Sequence, residues 1–127
     1  MTGDRDWPAE NELDERLAVL EVAARHFYGV KEIEHLLVGL LDLMRSDRLP
    51  KDRSLAALDA LMVAWPPGTV ELLEFTMREL RWPEVQSSLT MSAANHPDFR
   101  ARDQARQALE VYAEDWPTGQ IYRTYAE

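Results

Sequence analysis

Cysteine is absent from this chain of 127 residues. Its absence excludes disulfide bonds, thiolate metal sites and cysteine nucleophiles, and leaves the redox compartment open. Long hydrophobic runs are missing too, because the most apolar window, residues 36–44, is too short to span a bilayer and contains Asp42. Residues 1–6 are polar and acidic, unlike a signal peptide, so we expect a cytoplasmic location.

The motifs of common enzymes are also missing. The chain has no Gly-x-Ser-x-Gly elbow, no glycine-rich phosphate loop, no His-Glu-x-x-His and no aspartate-rich calcium loop. We therefore predict a protein that is not an enzyme and that uses no cofactor. One alternative stays open, since Glu32-x-x-His35 is the unit of ferritin-like di-iron sites, although such sites need two of these motifs. A helical metal-dependent enzyme would use Glu32 and His35, with His26.

Positive charge is scarce, with two lysines and twelve arginines against 23 acidic residues, and the net charge is −9. A surface this acidic repels phosphate backbones, so we expect no general binding to nucleic acid. A basic protein partner is favoured instead. The simpler interpretation is that the charge serves solubility alone.

Apolar residues recur at intervals of three and four along most of the chain, which is the spacing of amphipathic helices. Alternating β-branched runs, the signal of strands, are missing. The pattern predicts an all-α domain over residues 10–127, preceded by a flexible arm at residues 1–9 and ending in a short tail from about residue 117. Six helices are predicted, at about residues 10–28, 31–46, 51–65, 69–81, 82–94 and 97–113. Ile121, Tyr122 and Tyr125 predict that the tail folds back onto the body.

Glycine and proline mark the predicted helix ends. Gly29 is expected to cap the first helix in the left-handed conformation, and Pro97 to open the sixth after His96 or Asn95. All four tryptophans precede proline, at residues 7, 65, 82 and 116. We interpret each Trp-Pro step as the stop of one helix or the start of the next, with the indole N–H bonded to a carbonyl or water.

The second predicted helix is the most apolar, and we expect it to be central. Gly39 in its middle predicts a close crossing with a neighbouring helix. Val38 and Leu43 extend its apolar surface to the far side. A homodimer that covers this surface with a second copy is therefore a further possibility.

Small residues line one side of the sixth predicted helix, at Ala101, Ala105 and Ala108, and predict close packing on the helix before it. The motif Ala101-Arg102-x-x-Ala105-x-x-Ala108-Leu109 resembles the second helix of a HEAT repeat. A partial echo is Ala57-x-x-Ala60-Leu61, where Ser54 replaces the arginine. This resemblance implies antiparallel hairpins stacked in a right-handed, HEAT-like arrangement with a concave surface. An irregular helical bundle is the alternative.

Five arginines make the second half of the chain locally basic, and they are the candidate partner-binding residues: Arg78, Arg81, Arg100, Arg102 and Arg106. In one groove they would hold an acidic peptide or a phosphate through bidentate contacts. The alternative is structural, with Arg102 paired to a carboxylate between hairpins. Glu74 and Arg78 are also spaced as a helical ion pair.

These observations together favour a non-enzymatic protein-interaction module. It would be an adaptor, or an inhibitor of a basic partner such as a nuclease toxin. The hypothesis depends on the acidity, on the missing catalytic motifs and on the resemblance to HEAT-type scaffolds, and the last of these is an argument by analogy.

Overall fold

In a computed structural model of the protein, residues 8–26 and 29–126 are described. Their regular structure is entirely helical, which confirms the all-α prediction, and none of the described helices is long and apolar enough to cross a membrane. The predicted arm lies outside these residues as far as Trp7. The elements are α1 (Ala9–His26), α2 (Val30–Met44), α3 (Lys51–Ala64), α4 (Thr69–Leu80), α5 (Pro83–Asn95) and α6 (Phe99–Leu109), followed by short 3-10 helices at Glu110–Tyr112, Pro117–Ile121 and Arg123–Tyr125.

The start of α6 differs from the prediction by two residues. Asp98 is the cap, and its Oδ1 accepts a hydrogen bond from the Arg100 amide at 3.0 Å. Pro97 therefore precedes the cap instead of opening the helix. The reason lies at His96, whose Nδ1 accepts from the Asp98 amide while its Nε2 lies 2.8 Å from the Val63 carbonyl, so that the turn stays extended.

Three of the Trp-Pro steps lie at helix boundaries, as predicted, and the fourth, at Trp7, lies outside the described residues. Trp65 ends α3 with a left-handed φ of 52°, Trp82 precedes α5, and Trp116 precedes a 3-10 helix. The expected indole hydrogen bonds are not found for Trp65 and Trp116. Their Nε1 atoms are buried without a partner among the described residues.

The left-handed glycine of this fold is Gly68, not Gly29. Gly29 has an extended backbone, with φ −114° and ψ 148°, and begins α2. Gly68 precedes α4 with φ 91°, and a Cβ there would lie 3.2 Å from the Cβ of Ala24. Both the positive φ and the close approach of α1 require glycine at this position. The Thr69 hydroxyl donates to the Pro66 carbonyl at 2.7 Å and does not cap the helix.

The helices pack in two layers. The odd-numbered helices contact in the order α1, α3, α5, and the even-numbered helices in the order α2, α4, α6. The layers are joined by the pairs α1–α2 and α5–α6, and α6 packs most extensively on α5, as the small residues Ala101, Ala105 and Ala108 predict. This arrangement is an all-helical bundle that is compatible with a helical repeat.

The predicted echo of the α6 motif has no equivalent place in the fold. Ala60 and Val63 are exposed on α3. That helix belongs to the odd-numbered layer, whereas α6 belongs to the even-numbered layer. The two segments therefore face different surroundings, and the echo at Ala57-x-x-Ala60-Leu61 does not occupy the position of a repeated unit.

The most buried helix is α4, where eight of the twelve residues are buried, against seven of fifteen in α2. The prediction that α2 is central is therefore wrong. Leu43 is buried and Val38 is 37% exposed, so only part of the apolar far side of α2 is covered within the chain. Gly39 faces the tip of a side chain, because a Cβ there would be 2.6 Å from Nη1 of Arg16 on α1. The predicted close crossing of helices at Gly39 stays a prediction.

The carboxyl-terminal segment folds back onto α4, as predicted. Tyr122 is fully buried, its ring centroid lies 5.4 Å from that of Phe75 and 5.8 Å from that of Trp116, and the Tyr125 hydroxyl donates to the Phe75 carbonyl at 2.5 Å. Ile121 is 48% exposed, so of the three apolar residues named for this contact it contributes least. The tail is thus part of the core.

Candidate functional site

Two of the five candidate arginines close the end of α6. The guanidinium groups of Arg78 and Arg81 donate to the carbonyls of residues 111–114 at distances between 2.6 and 3.3 Å. These carbonyls follow the last turn of the helix, where cations and donors are stabilising. Arg78 also lies over the Trp116 ring and Arg81 over the Tyr112 ring, at 5.6 and 5.7 Å. We call Arg78 and Arg81 the arginine clasp.

The other three arginines lie on α6 itself, from Arg100 in its first turn to Arg106 in its last turn. Arg102 donates to the His96 carbonyl at 2.6 Å, so its predicted carboxylate partner is wrong. Arg106 pairs with Asp103 at 2.6 Å, and Arg100 is exposed. Arg78 and Arg81 therefore belong to the end of α4, whereas the other three arginines are distributed along α6. Partner binding by any of them stays a prediction.

The residues of the alternative metal site are exposed. Glu32 and His35 lie on the outer surface of α2, and His26 is exposed at the end of α1. No group of three or more metal-ligating side chains exists among residues 8–26 and 29–126. The geometry thus supplies no support for this alternative within the described part of the chain.

A polar cavity of about 330 Å³ lies where the α1–α2 and α3–α4 connections meet α6. Its walls include the apolar side chains of Ile33 and Val70, and its polar side chains include those of Glu71, Gln104 and Gln107. Neither lysine nor arginine contributes to the lining that the structure describes. We call this space the acidic cavity.

A buried carboxylate is hydrogen-bonded to Gln107 of the acidic cavity. Glu74 on α4 is 1% exposed; it accepts a hydrogen bond from the Tyr122 hydroxyl at 2.8 Å and one from Nε2 of Gln107 at 3.3 Å. Its predicted ion pair with Arg78 is wrong, since Arg78 belongs to the clasp. Burial raises the pKa of the Glu74 carboxyl; the hydrogen bonds from Tyr122 and Gln107 lower it, the nearby carboxylates of Glu71 and Glu110 raise it, and the net shift is upward.

A second buried carboxylate, Glu34 on α2, has the opposite environment. It is 9% exposed and accepts hydrogen bonds of 2.7 to 2.8 Å from the Thr124 hydroxyl and from the amides of Arg123 and Thr124. Burial alone would raise the pKa of the Glu34 carboxyl, but these bonds outweigh it and the net shift is downward. Glu34 therefore fastens the tail to α2.

Sequence reasoning missed both buried carboxylates, although a signal was present. Glu74 stands at the position i+4 of the helical stripe that begins at Val70 and contains Leu73 and Met77. Glu34 occupies the same kind of position on α2, four residues after Val30. A charged residue on an apolar stripe is a buried group in need of partners. Gln107 carried no comparable signal, because its partner is 33 residues away.

Chemically, this site offers negative charge and several hydrogen-bonding groups. It brings together carboxylates, amides and a phenol, and none of these groups lies beside a nucleophile with an activating base. Comparison of the chain with protein-family models, with curated proteins and with solved structures returns no significant match. A functional assignment therefore depends on the residues of the chain itself.

Proposed function

We propose that the protein is a non-enzymatic interaction module that binds a basic protein, as an adaptor or as an inhibitor of a partner such as a nuclease toxin. The acidic cavity receives a lysine or arginine side chain of that partner. One observation carries the proposal: a cavity of about 330 Å³ is lined by Glu71 and by Gln107, which donates to the buried Glu74, and its described lining contains no basic residue.

The electrostatics of the cavity favour a cationic occupant. Burial and the neighbouring carboxylates disfavour the ionised form of Glu74, as the raised pKa indicates. A cation beside Gln107 would relieve this cost, because an opposite charge within a few ångströms stabilises a carboxylate. The amides of Gln104 and Gln107 add acceptors for a guanidinium group, whose five donors need several partners. The net charge of −9 would speed the approach of a basic protein.

The finer description of the scaffold belongs to the same proposal. The two layers of alternate helices and the motif from Ala101 to Leu109 support a HEAT-like, right-handed stack of hairpins. Scaffolds of this kind bind protein partners on extended surfaces. A cytoplasmic location is likewise proposed.

The test compares two charge reversals on α4. Glu71→Lys places a cation in the acidic cavity, and Glu79→Lys makes the same change at an exposed position of the same helix. Wild type and both variants are immobilised and exposed to lysate, and each captured protein is then purified and titrated by calorimetry. We expect a basic partner whose affinity falls at least about tenfold with Glu71→Lys and stays within about threefold with Glu79→Lys.

Two outcomes would contradict the proposal. Equal losses for Glu71→Lys and Glu79→Lys would mean that only overall charge matters and that the cavity is not the site. A partner with an acidic surface would exclude the proposed chemistry. Circular dichroism of each variant establishes that the fold is kept before affinities are compared.

A further inference from the structure

Helix α1 has a second apolar face, opposite the one that enters the core. The inner face buries Leu13 and Leu20. The outer face leaves Val19 and Val22 exposed by 48% and 56%. We define the outer face of α1 by the residues that recur on it at intervals of three and four, namely Glu15, Ala18, Val19, Val22, Ala23 and His26.

The order of residues on this face is symmetric. About the midpoint between residues 20 and 21, Val19 is the counterpart of Val22, Ala18 is the counterpart of Ala23, and Glu15 is the counterpart of His26. The two valines and the two alanines are identical pairs. The third pair joins an acceptor carboxylate to an imidazole that can donate. Because of this order, the outer face of α1 is complementary to the same face of a second copy that is related to it by a two-fold rotation.

We propose that the outer face of α1 binds a second copy of this chain, with the two α1 helices antiparallel across a two-fold axis. In this arrangement Val19 packs on the partner subunit's Val22, Ala18 on the partner subunit's Ala23, and Glu15 accepts from the partner subunit's His26. The alanines allow the two backbones to approach closely. The dimer surface is separate from the acidic cavity, so it adds to the proposed function and does not depend on it.

The charges that flank the face agree with this geometry. By helical position, Asp14 and Arg25 stand on the same side of the outer face, toward opposite ends of α1. Rotation about the two-fold axis leaves this flank on the same side of the helix pair and reverses the direction of the helix. Arg25 therefore comes near Asp14 of the partner subunit. Glu21 lies on the same flank near the axis, and its salt bridge with Arg25 offsets the approach of Glu21 of the partner subunit. A parallel arrangement would instead set Glu15 against Glu15 of the partner subunit.

The expected dimer is weak. One pair of short helices buries less area than a standard stable interface, so we expect a Kd on the order of 0.1 mM. Each copy carries a net charge of −9, and the repulsion between copies opposes association. Salt screens this long-range repulsion more than it screens contacts within the interface, so association should strengthen as salt rises from about 20 to about 200 mM.

Sedimentation equilibrium of the full chain between about 10 µM and about 1 mM tests the proposal, because this range brackets the expected Kd. Val22→Asp should weaken the dimer at least about tenfold, since it places two carboxylates in the apolar centre. Val63→Asp is the matched control, because Val63 is 70% exposed on α3 and outside the outer face. Val63→Asp should leave the Kd of the dimer within about twofold of the wild-type value.

A charge exchange tests the antiparallel register. Glu15→Lys and His26→Glu should each weaken the dimer, and the double variant E15K/H26E should restore it, because the introduced ammonium and carboxylate groups would then face each other across the axis. A wild-type protein that stays monomeric to about 1 mM would overturn the proposal. Equal effects of Val22→Asp and Val63→Asp on the Kd would also overturn it. So would a double variant whose dimer is no tighter than that of the weaker single variant.

Discussion

At the scale of single residues, the two buried carboxylates differ in how many donors reach them. Glu34 has three short hydrogen bonds, two of them from backbone amides. Glu74 has one from a phenol and a longer one from an amide side chain. Hydrogen-bond donors stabilise the ionised carboxylate, and burial destabilises it. The pKa of Glu34 is therefore lowered from the ordinary value of 4.5, and the pKa of Glu74 is raised from it.

This difference predicts opposite effects of Glu74→Gln and Glu34→Gln on stability. The folded pKa of Glu74 is raised, so its ionisation costs stability above that pKa, and the cost disappears as pH falls below 4.5. Glu74→Gln should therefore be more stable than wild type at pH 8. The folded pKa of Glu34 is lowered, so its contribution is present above pH 4.5 and is lost as pH falls through the folded pKa.

Glu34→Gln should accordingly be less stable than wild type at pH 8, by about 2 kcal/mol for the loss of hydrogen bonds to a charged group. The measurement is the free energy of unfolding in urea, followed by circular dichroism at several pH values between about 3.5 and 8. In acid, both differences in the free energy of unfolding should shrink: the gain from Glu74→Gln and the loss from Glu34→Gln should each approach zero. Differences of the same sign at pH 8 would contradict the assignment.

At the scale of elements, the arginine clasp joins the end of α4 to the end of α6. Arg81→Ala and Arg78→Ala should each lower the free energy of unfolding by about 2 kcal/mol, because the carbonyls that follow α6 lose charged donors and an aromatic ring loses its cation. Arg100→Ala is the control, since Arg100 is exposed on α6, and it should stay within about 0.5 kcal/mol. Thermal or urea unfolding measures all three, and an equal cost at Arg100 would show that the clasp contributes nothing.

The helices themselves were predictable from the sequence, and their ends were less so. The intervals of three and four placed all six helices because burial of an apolar stripe dominates their stability. The caps at Asp98 and Gly68 were missed, because adjacent polar and small residues compete for a cap with energies that differ by tenths of a kcal/mol. At the α5–α6 turn, contacts of His96 with α3 decide the outcome, and no local pattern contains them.

The candidate site was the least predictable part of the molecule. A charged residue is rarely buried, so Glu34 and Glu74 were passed over although they stood on apolar stripes. The clasp joins residues about 30 to 36 positions apart, and helical periodicity carries no information at that separation. The chemical types were readable from the sequence, whereas the pairings depend on how α4, α6 and the tail meet.

At the scale of the whole molecule, the tail completes the core. Tyr122 is fully buried between Phe75 and Trp116 and holds Glu74, so Tyr122→Ala should cost about 3–5 kcal/mol. Ile121→Ala is the neighbouring control, because Ile121 is half exposed, and it should change stability by at most about 0.5 kcal/mol. The measurement is urea unfolding, and a comparable cost at both positions would mean that the tail is only loosely attached.

The position of Tyr122 also has a consequence for synthesis. The ribosome completes α1 to α6 before it adds the aromatic side chains that cover α4. We expect the nascent chain to expose apolar surface until residue 125 has left the exit tunnel, a state in which chaperones bind and aggregation begins. Nascent chains stalled before residue 116 should therefore be cleaved by protease much faster than chains that have released the whole segment.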